Sequence, residues 1–117
     1  MINTVIIMGR LTTDPELKST QNGKSVIQFT VAIDRNSKDK ATDFISCVAW
    51  DKTAEFISKY FSKGRMIAVE GRLQSRTYDD KNGSKHYITE VIVSQASFTG
   101  EAKQKSEEIP EDENVPF

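Results

Sequence analysis

Short segments of β-branched and aromatic residues, separated by polar turns, dominate the hydrophobic pattern of the first hundred residues. The clearest alternation places Ile27, Phe29, Val31 and Ile33 at every second position, with polar residues between most of them. Because successive side chains of a strand point to opposite faces, this alternation predicts a strand with one buried face. Similar runs predict five strands in all, at residues 5–11, 27–33, 44–50, 66–78 and 87–98.

One segment has the periodicity of a helix. After residue 50, apolar side chains recur at helical spacing, at Phe56, Ile57, Tyr60 and Phe61. This spacing predicts one short helix. Asp51 or Thr53 is its candidate N-cap, and Gly64 is its candidate stop.

The predicted order of elements is three strands, one helix and two further strands joined by a hairpin at residues 79–83. Gly71 interrupts the fourth strand, where a bulge or sharp bend would let the sheet curl. This order matches the OB-fold, a five-stranded Greek-key barrel, here with one short helix between strands 3 and 4. Other small β-barrels share the strand count, so the sequence predicts an all-β barrel without proving its topology.

The charge of the chain is distributed unevenly. Residues 1–100 carry 14 Lys/Arg and 11 Asp/Glu, a net charge of +3, whereas residues 101–117 carry 2 and 6, a net charge of −4. The positive charge of residues 1–100 suits an anionic partner, which the negative charge of residues 101–117, the tail, would repel. Because residues 101–117 have too few apolar side chains to offset their ordering entropy, we expect an OB-fold domain at 1–100 and a disordered linker and acidic tip at 101–117.

Residues suited to catalysis and metal binding are scarce. The chain has one histidine, His86, and one cysteine, Cys47, which excludes zinc clusters and a disulfide within the chain. Residues 23–25 have the last three letters of a phosphate-binding loop but lack its first glycine. Asp79 and Asp80 are adjacent in a predicted turn, where carboxylates are usually solvated. We therefore expect no enzyme, no catalytic residue, no metal and no cofactor, and we interpret His86 as a surface residue.

Two predicted strands place aromatic and basic side chains on the outside of the barrel. At residues 44–50, period two assigns Ile45, Cys47 and Ala49 to the interior, and Phe44, Ser46, Val48 and Trp50 to the outside. At residues 66–78, it assigns Ile67, Val69, Gly71 and Leu73 to the interior, and Arg72, Gln74, Arg76 and Tyr78 to the outside. Aromatic rings stack on bases without reading sequence, and cations neutralise phosphates. The alternative is that a subunit contact or the helix covers Phe44 and Trp50.

Seven segments together resemble the bacterial-type single-stranded DNA-binding proteins over nearly the full chain. They are NTVIIMGRL at 3–11, DPE at 14–16, NG at 22–23, DKAT at 39–42, KG at 63–64, VEGRL at 69–73 and YITEVIV at 87–93. Each segment is short, but their order and spacing together are specific. The family also ends in acidic residues followed by a hydrophobic residue, Pro and Phe, which residues 112–117 match.

The resemblance implies roles for particular side chains. The base-stacking aromatics of the family correspond to Phe44, Trp50 and Tyr78, which the alternation already assigns to the outside. Its phosphate-binding side chains correspond to Lys40, Lys52, Lys63, Arg72 and Arg76. The resemblance also implies a homotetramer, and the first strand, which is apolar on both faces, would suit a subunit interface.

Two features depart from the family pattern. The loop at 35–43 is short and lacks the tryptophan that the family often has there, so Ser37 or Asn36 takes its position. This difference predicts weaker binding or a different site size. The linker before the acidic tip is also short, which favours a phage or plasmid member.

The acidic tip is predicted to recruit partner proteins. It consists of Asp112, Glu113, Asn114, Val115, Pro116 and Phe117. A terminal phenylalanine combines an apolar ring with a carboxylate, which a pocket with a basic rim can bind. Pro116 restricts the chain and lowers the entropy lost on binding. By resemblance the partners are replication and repair enzymes; the alternative is a solubility tail, which needs no aromatic end.

The first residues lack the pattern of a signal peptide, and no run is long enough to span a bilayer, so we expect a cytoplasmic protein with no membrane partner. The resemblance implies that the cell is bacterial or a phage-infected host. The leading hypothesis is sequence-independent coating and protection of single-stranded DNA during replication, recombination and repair. The alternatives are an RNA-binding OB module of the cold-shock or translation-factor type, an OB-fold nuclease, and an adaptor that works mainly through its tail. Base stacking alone does not separate DNA from RNA, whereas the resemblance and the tail favour DNA.

Overall fold

The described residues form one six-stranded sheet and one helix. The structure, a computed structural model, describes residues 1–36, 38 and 40–100. The strands are β1 (Val5–Leu11), β2 (Lys18–Ser19), β3 (Ser25–Asp34), β4 (Thr42–Trp50), β5 (Met66–Asp79) and β6 (Lys85–Ser97), and helix α1 (Asp51–Tyr60) lies between β4 and β5. The order across the sheet is β1-β5-β6-β4-β3-β2, and a further pairing of β1 with β3 closes the barrel.

This architecture confirms the predicted OB-fold, with its five long strands and a helix between the third and the fourth of them. The addition is β2, two residues that pair with the start of β3. The five long strands begin and end within two residues of their predicted bounds. Runs of β-branched and aromatic residues were therefore a sufficient signal for the five long strands.

The strand β1 closes the barrel by pairing with two strands in turn. Its residues up to Arg10 pair with β5, and Arg10 and Leu11 also pair with β3. A Cβ atom at Gly9 would collide with the carbonyl oxygen of Ala32 on β3. Glycine therefore permits the close approach of two backbones where β1 changes partner.

A bulge bends the β5–β6 hairpin where it leaves the barrel. Glu70 pairs with Gln95 while Gly71 pairs with Val93, so Ser94 is the extra residue in β6. The Ser94 hydroxyl donates a hydrogen bond of 3.0 Å to the Glu70 carbonyl oxygen. A Cβ atom at Gly71 would overlap the backbone of β6. The irregularity predicted at Gly71 is thus confirmed as a bulge.

Odd-numbered residues of the long strands fill the barrel interior. The buried apolar side chains of this core are Leu11, Ile27, Phe29, Val31, Cys47, Ala49, Ala54, Ile57, Phe61, Ile67, Val69, Val91 and Val93. The inward positions predicted on β3, β4 and the first half of β5 are confirmed, with Ile33 and Ile45 partly buried at the ends of their strands. Burial of this apolar surface is the main force that holds the barrel together.

Two side chains differ in exposure from what their predicted faces imply. Val48 lies on the outer face as predicted but is buried, because its short side chain is flanked by its paired neighbours Gln28 and Ile92. Leu73, predicted to lie inside, is exposed. It lies past the bulge, where the described pairings of β5 are with β6 alone and the hairpin extends beyond the barrel. Tertiary surroundings override the alternation at both positions.

The helix α1 is confirmed, but its predicted ends are wrong. The N-cap is Trp50, which makes no capping hydrogen bond through its side chain, and Asp51 is the first helical residue. Strand β4 leads into the helix without a loop, so no residue is free to act as a separate cap. The helix ends at Tyr60, and the Phe61 N–H donates to the Ile57 carbonyl oxygen. Gly64 adopts a positive φ of 84° in the turn that follows.

Candidate nucleic-acid interface

One face of β3, β4, β5 and β6 carries most of the predicted site, and we call it the outer face. Its members follow from the strand register. Val48 pairs with Gln28 on β3 and with Ile92 on β6, and Ile92 pairs with Arg72 on β5. Since paired residues point to the same side of a sheet, the outer face carries the even-numbered residues of β3, β4 and β5, and of β6 up to its bulge.

Three aromatic side chains stand on the outer face. Phe44 is 65% exposed, Trp50 40% and Tyr78 45%. Phe44 and Trp50 lie near the two ends of β4, about 20 Å apart along an extended strand. Tyr78 lies on the arm of β5 beyond the bulge. Their predicted outward position is confirmed, and α1 buries none of the three. Their contact with bases stays a prediction.

Trp50 borders a shallow cavity of about 300 Å³. The other residues that line this cavity are Thr20, Asn22, Lys24 and Asp51. Lys24 is a cation beside Trp50 that the sequence analysis missed. Lys24 follows the Asn-Gly turn at 22–23 and precedes the β3 residue Val26, and only the pairing of Val26 with Trp50 brings it to this site.

Tyr78 stacks on His86 across the β5–β6 hairpin. The ring centroids are 5.0 Å apart and the ring planes differ by 17°. The two residues are paired in the antiparallel ladder, so the stack follows from their equal distance from the turn. His86 is exposed, as the surface interpretation requires. Its place beside a predicted stacking residue was not foreseen.

Asp80 organises the hairpin turn. Its Oδ1 accepts hydrogen bonds of 2.9 Å from the backbone N–H groups of Asn82 and Ser84, and its Oδ2 lies 2.7 Å from Nε2 of His86. The hydrogen bond from His86, followed by the one from Ser84, holds the pKa of Asp80 below its ordinary value. Asp79 is the exposed last residue of β5, where it pairs with Lys85, and Asp80 begins the turn, so only Asp80 is a turn residue as predicted.

Two arginines share the outer face with the aromatics. Arg72 and Arg76 are exposed on β5, and Arg72 Nη1 donates a hydrogen bond of 2.7 Å to Gln74 Oε1. Arg76 Nε donates one of 2.9 Å to Oε1 of Glu90, a buried carboxylate on β6. The sequence analysis assigned no role to Glu90, although it is the one charged residue in the mostly apolar run at 88–93.

The three predicted lysines lie on loops and on the helix. Lys40 and Lys63 are exposed, and Lys40 has a positive φ of 53° in the loop before β4. Lys63 donates its backbone N–H to Asp14 Oδ1 at 2.8 Å, which fixes the turn that presents its side chain. Lys52 lines a separate cavity of about 220 Å³ with Phe56 and Gln95, on the side of α1. The structure thus groups the two arginines with the aromatics, and it presents the lysines from other elements.

A clamp closes the loop between β3 and β4. Arg35 donates two hydrogen bonds to the Asp43 carboxylate, at 3.0 and 2.8 Å, and Thr42 Oγ1 donates one of 3.0 Å to Asp34. The paired guanidinium lowers the pKa of Asp43, and the carboxylate raises the pKa of Arg35. The clamp fixes the chain immediately before Phe44. Ser37, one candidate for the position of the missing aromatic, lies outside the described residues.

Cys47 is a core residue. Burial, with a smaller effect of the Glu90 charge, raises the pKa of its thiol to about 12, so the reactive thiolate is not formed near neutral pH. Within the described ranges, no cluster of three or more His, Cys, Asp or Glu side chains is arranged to hold a metal ion. Nor does that part of the chain contain a helix of the length and hydropathy needed to cross a membrane.

The predicted protein-binding tip, residues 112–117, lies outside the described residues, as does the whole segment 101–117. The domain boundary at residue 100 therefore stays a prediction. Of the predicted site residues, the structure describes Phe44, Trp50, Tyr78 and the five basic residues.

An OB barrel with aromatic and basic side chains on one open face has the architecture of an oligonucleotide-binding module. The sequence model of the single-strand binding protein family matches residues 2–99. The chain belongs to this family, which confirms the resemblance seen in its sequence.

Curated relatives agree with the family model. A protein of Caldanaerobacter subterraneus subsp. tengcongensis, named single-stranded DNA-binding protein, is 40% identical over 96% of this chain and 83% of its own length. A protein of the same name from Halalkalibacterium halodurans is 42% identical over 84% of this chain and 61% of its own length. Single-stranded DNA-binding protein 1 of Staphylococcus aureus is 44% identical over 84% of this chain and 65% of its own length. The chain therefore spans less than two thirds of the last two relatives.

Proposed function

We propose that this protein binds single-stranded DNA independently of its sequence, and that it performs no catalysis. One observation carries the proposal: Phe44, Trp50 and Tyr78 are all at least 40% exposed on one face of the sheet. Exposed rings that share one face can stack on bases, because every base offers a flat apolar surface. For OB-fold proteins of this class, each stacked base contributes about 1–3 kcal/mol.

The basic side chains supply the second part of the interaction. Arg72 and Arg76 stand on the same face as Tyr78, and Lys24 borders the same cavity as Trp50. Phosphates that meet these side chains release condensed counterions, so affinity should fall as salt rises. Lys40, Lys52 and Lys63 are proposed to extend this path onto the loops and α1.

The preference for DNA over RNA rests on the family. DNA and RNA strands both present bases for stacking, so stacking alone does not distinguish them; the 2′-hydroxyl of RNA does. The curated relatives are named for binding single-stranded DNA. An RNA-binding module is therefore the second candidate.

A homotetramer assembled partly through β1 fits the exposed apolar surface of that strand. Ile6 and Met8 are both exposed on one side of β1, and Ile2 precedes them in the chain. Apolar side chains that protrude from one strand are suited to an isologous contact with a second copy. Ile6→Lys should then lower the mass measured by sedimentation without unfolding the barrel.

The remaining roles follow from the family and the sequence. We propose that the protein protects exposed DNA during replication, recombination and repair, in the cytoplasm of a bacterial cell or phage-infected host. Residues 112–117 are proposed to recruit partner enzymes through an acidic stretch that ends in Phe117. Deletion of residues 114–117 should leave DNA binding intact and remove partner capture.

The stacking proposal can be tested on the hairpin itself. Tyr78→Ala should weaken binding to oligo(dT) about tenfold or more, because one ring is lost. Tyr87→Ala is the matched control: Tyr87 is 76% exposed on the same hairpin, but its pairing with Thr77 places it on the opposite face. Equal effects of the two substitutions in a gel-shift titration would reject the outer face as the binding surface.

A further inference from the structure

A charged pair lies in the middle of the outer face. Arg76 Nε donates a hydrogen bond of 2.9 Å to Oε1 of Glu90. The side chain of Arg76 is 43% exposed and that of Glu90 only 7%, so the cation is the outer member of the pair. Both border a cavity of about 350 Å³, which is also lined by Ser46, a β4 residue between Phe44 and Trp50. A buried carboxylate therefore lies at the centre of a surface proposed to bind a polyanion.

Stability alone does not explain this pair. Removing a carboxylate from water costs free energy, and an ion pair offsets that cost only when its geometry is good and its other polar atoms are hydrogen-bonded. Among the described residues, no group donates a hydrogen bond to the second oxygen of Glu90, Oε2. Apolar side chains of similar volume would often hold a sheet equally well. The place of the pair on the candidate binding face therefore indicates a role in binding.

The hydrogen bond to Glu90 orients the guanidinium of Arg76. A guanidinium is planar and holds its five N–H donors in a fixed fork, so an anchor at Nε restricts the directions of the others. Glu90 uses one of the five, and within the described part of the chain the N–H groups of the two terminal nitrogens donate to no protein group. Arg72 differs, because its Nη1 donates to the neutral and exposed side chain of Gln74.

We propose that Glu90 is a positioning residue for single-stranded DNA: it holds the guanidinium of Arg76 so that the terminal N–H groups bind a phosphate of the strand. The inference rests on the proposed binding of DNA to the outer face. Arg76 and Tyr78 point to the same side of β5, about 7 Å apart along an extended strand. A strand that stacks on Tyr78 brings its phosphates within reach of Arg76. This contact reads no base, so it suits binding that is independent of sequence.

Two properties of Glu90 act in opposite directions on a bound strand. Its oxygen orients Arg76, and a side chain that is already ordered loses less entropy when it binds a phosphate. Its negative charge opposes the same phosphate, although the charge of Arg76 balances it. The positioning role depends on the oxygen and not on the charge, so substitutions that separate the two properties test it.

Glu90→Gln and Glu90→Met both remove the charge and have similar size, but only glutamine keeps an oxygen for Arg76. In titrations followed by quenching of Trp50, Glu90→Met should bind oligo(dT) about fivefold more weakly than Glu90→Gln, the cost of ordering one long side chain. When Arg76→Met is added to each, the two variants should bind equally, because no guanidinium is left to orient. Equal affinities with Arg76 present, or a difference that persists without it, overturn the inference.

A second pair of variants leaves Glu90 intact and applies even if its substitutions prevent folding. Arg76→Lys keeps a positive charge at an exposed position but loses the planar fork, and it should weaken binding to oligo(dT) about fivefold. Arg72→Lys is the matched control, since Arg72 has no carboxylate partner among the described residues, and it should cost about twofold or less. Equal losses overturn the inference. If wild type does not bind oligo(dT), the proposed function fails and the inference with it; if it binds and the losses are equal, only the positioning role fails.

Discussion

The rings of Tyr78 and His86 stack across the β5–β6 hairpin, with centroids 5.0 Å apart and planes 17° apart. His86 is held in turn by Asp80, whose Oδ2 lies 2.7 Å from its Nε2. The stack therefore restricts the Tyr78 ring before any ligand arrives, and it leaves the other ring face for a base. A restricted side chain loses less entropy on binding, which favours affinity.

The pH dependence of stability should report on Asp80. Its pKa in the folded state lies below the ordinary value, chiefly because His86 and then the Ser84 N–H hydrogen-bond to the carboxylate. The ionised carboxylate thus stabilises the hairpin above its unfolded pKa of about 3.9. That contribution is lost as pH falls through the lower folded-state pKa.

Asp80→Asn should remove this part of the pH dependence, while the amide oxygen can still accept the hydrogen bonds from the Asn82 and Ser84 N–H groups. We expect the melting temperature of wild type to fall more steeply than that of the variant as pH drops below about 4. Asp43→Asn provides a parallel case, because Arg35 lowers the pKa of Asp43. Identical pH profiles for wild type and Asp80→Asn would contradict the assigned role of the hairpin carboxylate.

The bulge at Gly71 should tolerate no side chain. A Cβ atom there would overlap the backbone of β6 at Ile92, so Gly71→Ala must push the two strands apart. We expect a loss of about 1–3 kcal/mol in the free energy of unfolding, measured with urea at fixed protein concentration. Ser75→Ala, an exposed position on the same strand, should change it by less than about 0.5 kcal/mol. A neutral Gly71→Ala would show that β6 does not approach β5 at Gly71 as closely as described.

Arg72 should contribute a phosphate contact. It is exposed on the outer face and its pairing with Ile92 places it across the sheet from Val48. Arg72→Gln should reduce the slope of log affinity against log salt by about 0.7, the release expected for one contact with a single strand. Lys59→Gln removes a charge from α1 and should leave the slope unchanged. Equal slopes for wild type and Arg72→Gln would remove this residue from the interface.

Much of the fold could be predicted from runs of β-branched and aromatic residues, and most clearly from the one apolar face of β3. Ile27, Phe29 and Val31 alternate with polar residues, and the structure buries all three. Gly71 also signalled its bulge, since a glycine inside a strand has no side chain to pack. The exceptions at Val48 and Leu73 depend on which neighbours flank or cover a position, and a period of two contains no such information.

The candidate site was predictable in part from the alternation of side chains along each strand. The positions of Phe44, Trp50 and Tyr78 follow from parity along a strand, whereas the contacts of His86, Lys24 and Glu90 depend on strand pairing. The pairing of Lys24's neighbour Val26 with Trp50 is a relationship across 24 residues. The parallel pairing of β4 with β6, which brings Glu90 near Cys47, is likewise absent from any local pattern.

The fluorescence of Trp50 tests the central claim most directly, because it is the sole tryptophan and stands on the outer face. We expect oligo(dT) to quench the Trp50 fluorescence strongly, and the titration to reach saturation. Binding should be weaker at high salt, and oligo(rU) should bind more weakly than oligo(dT). A preference for oligo(rU) would move the protein to the RNA-binding class. No response to either strand, together with no gel shift, would contradict nucleic-acid binding by the outer face.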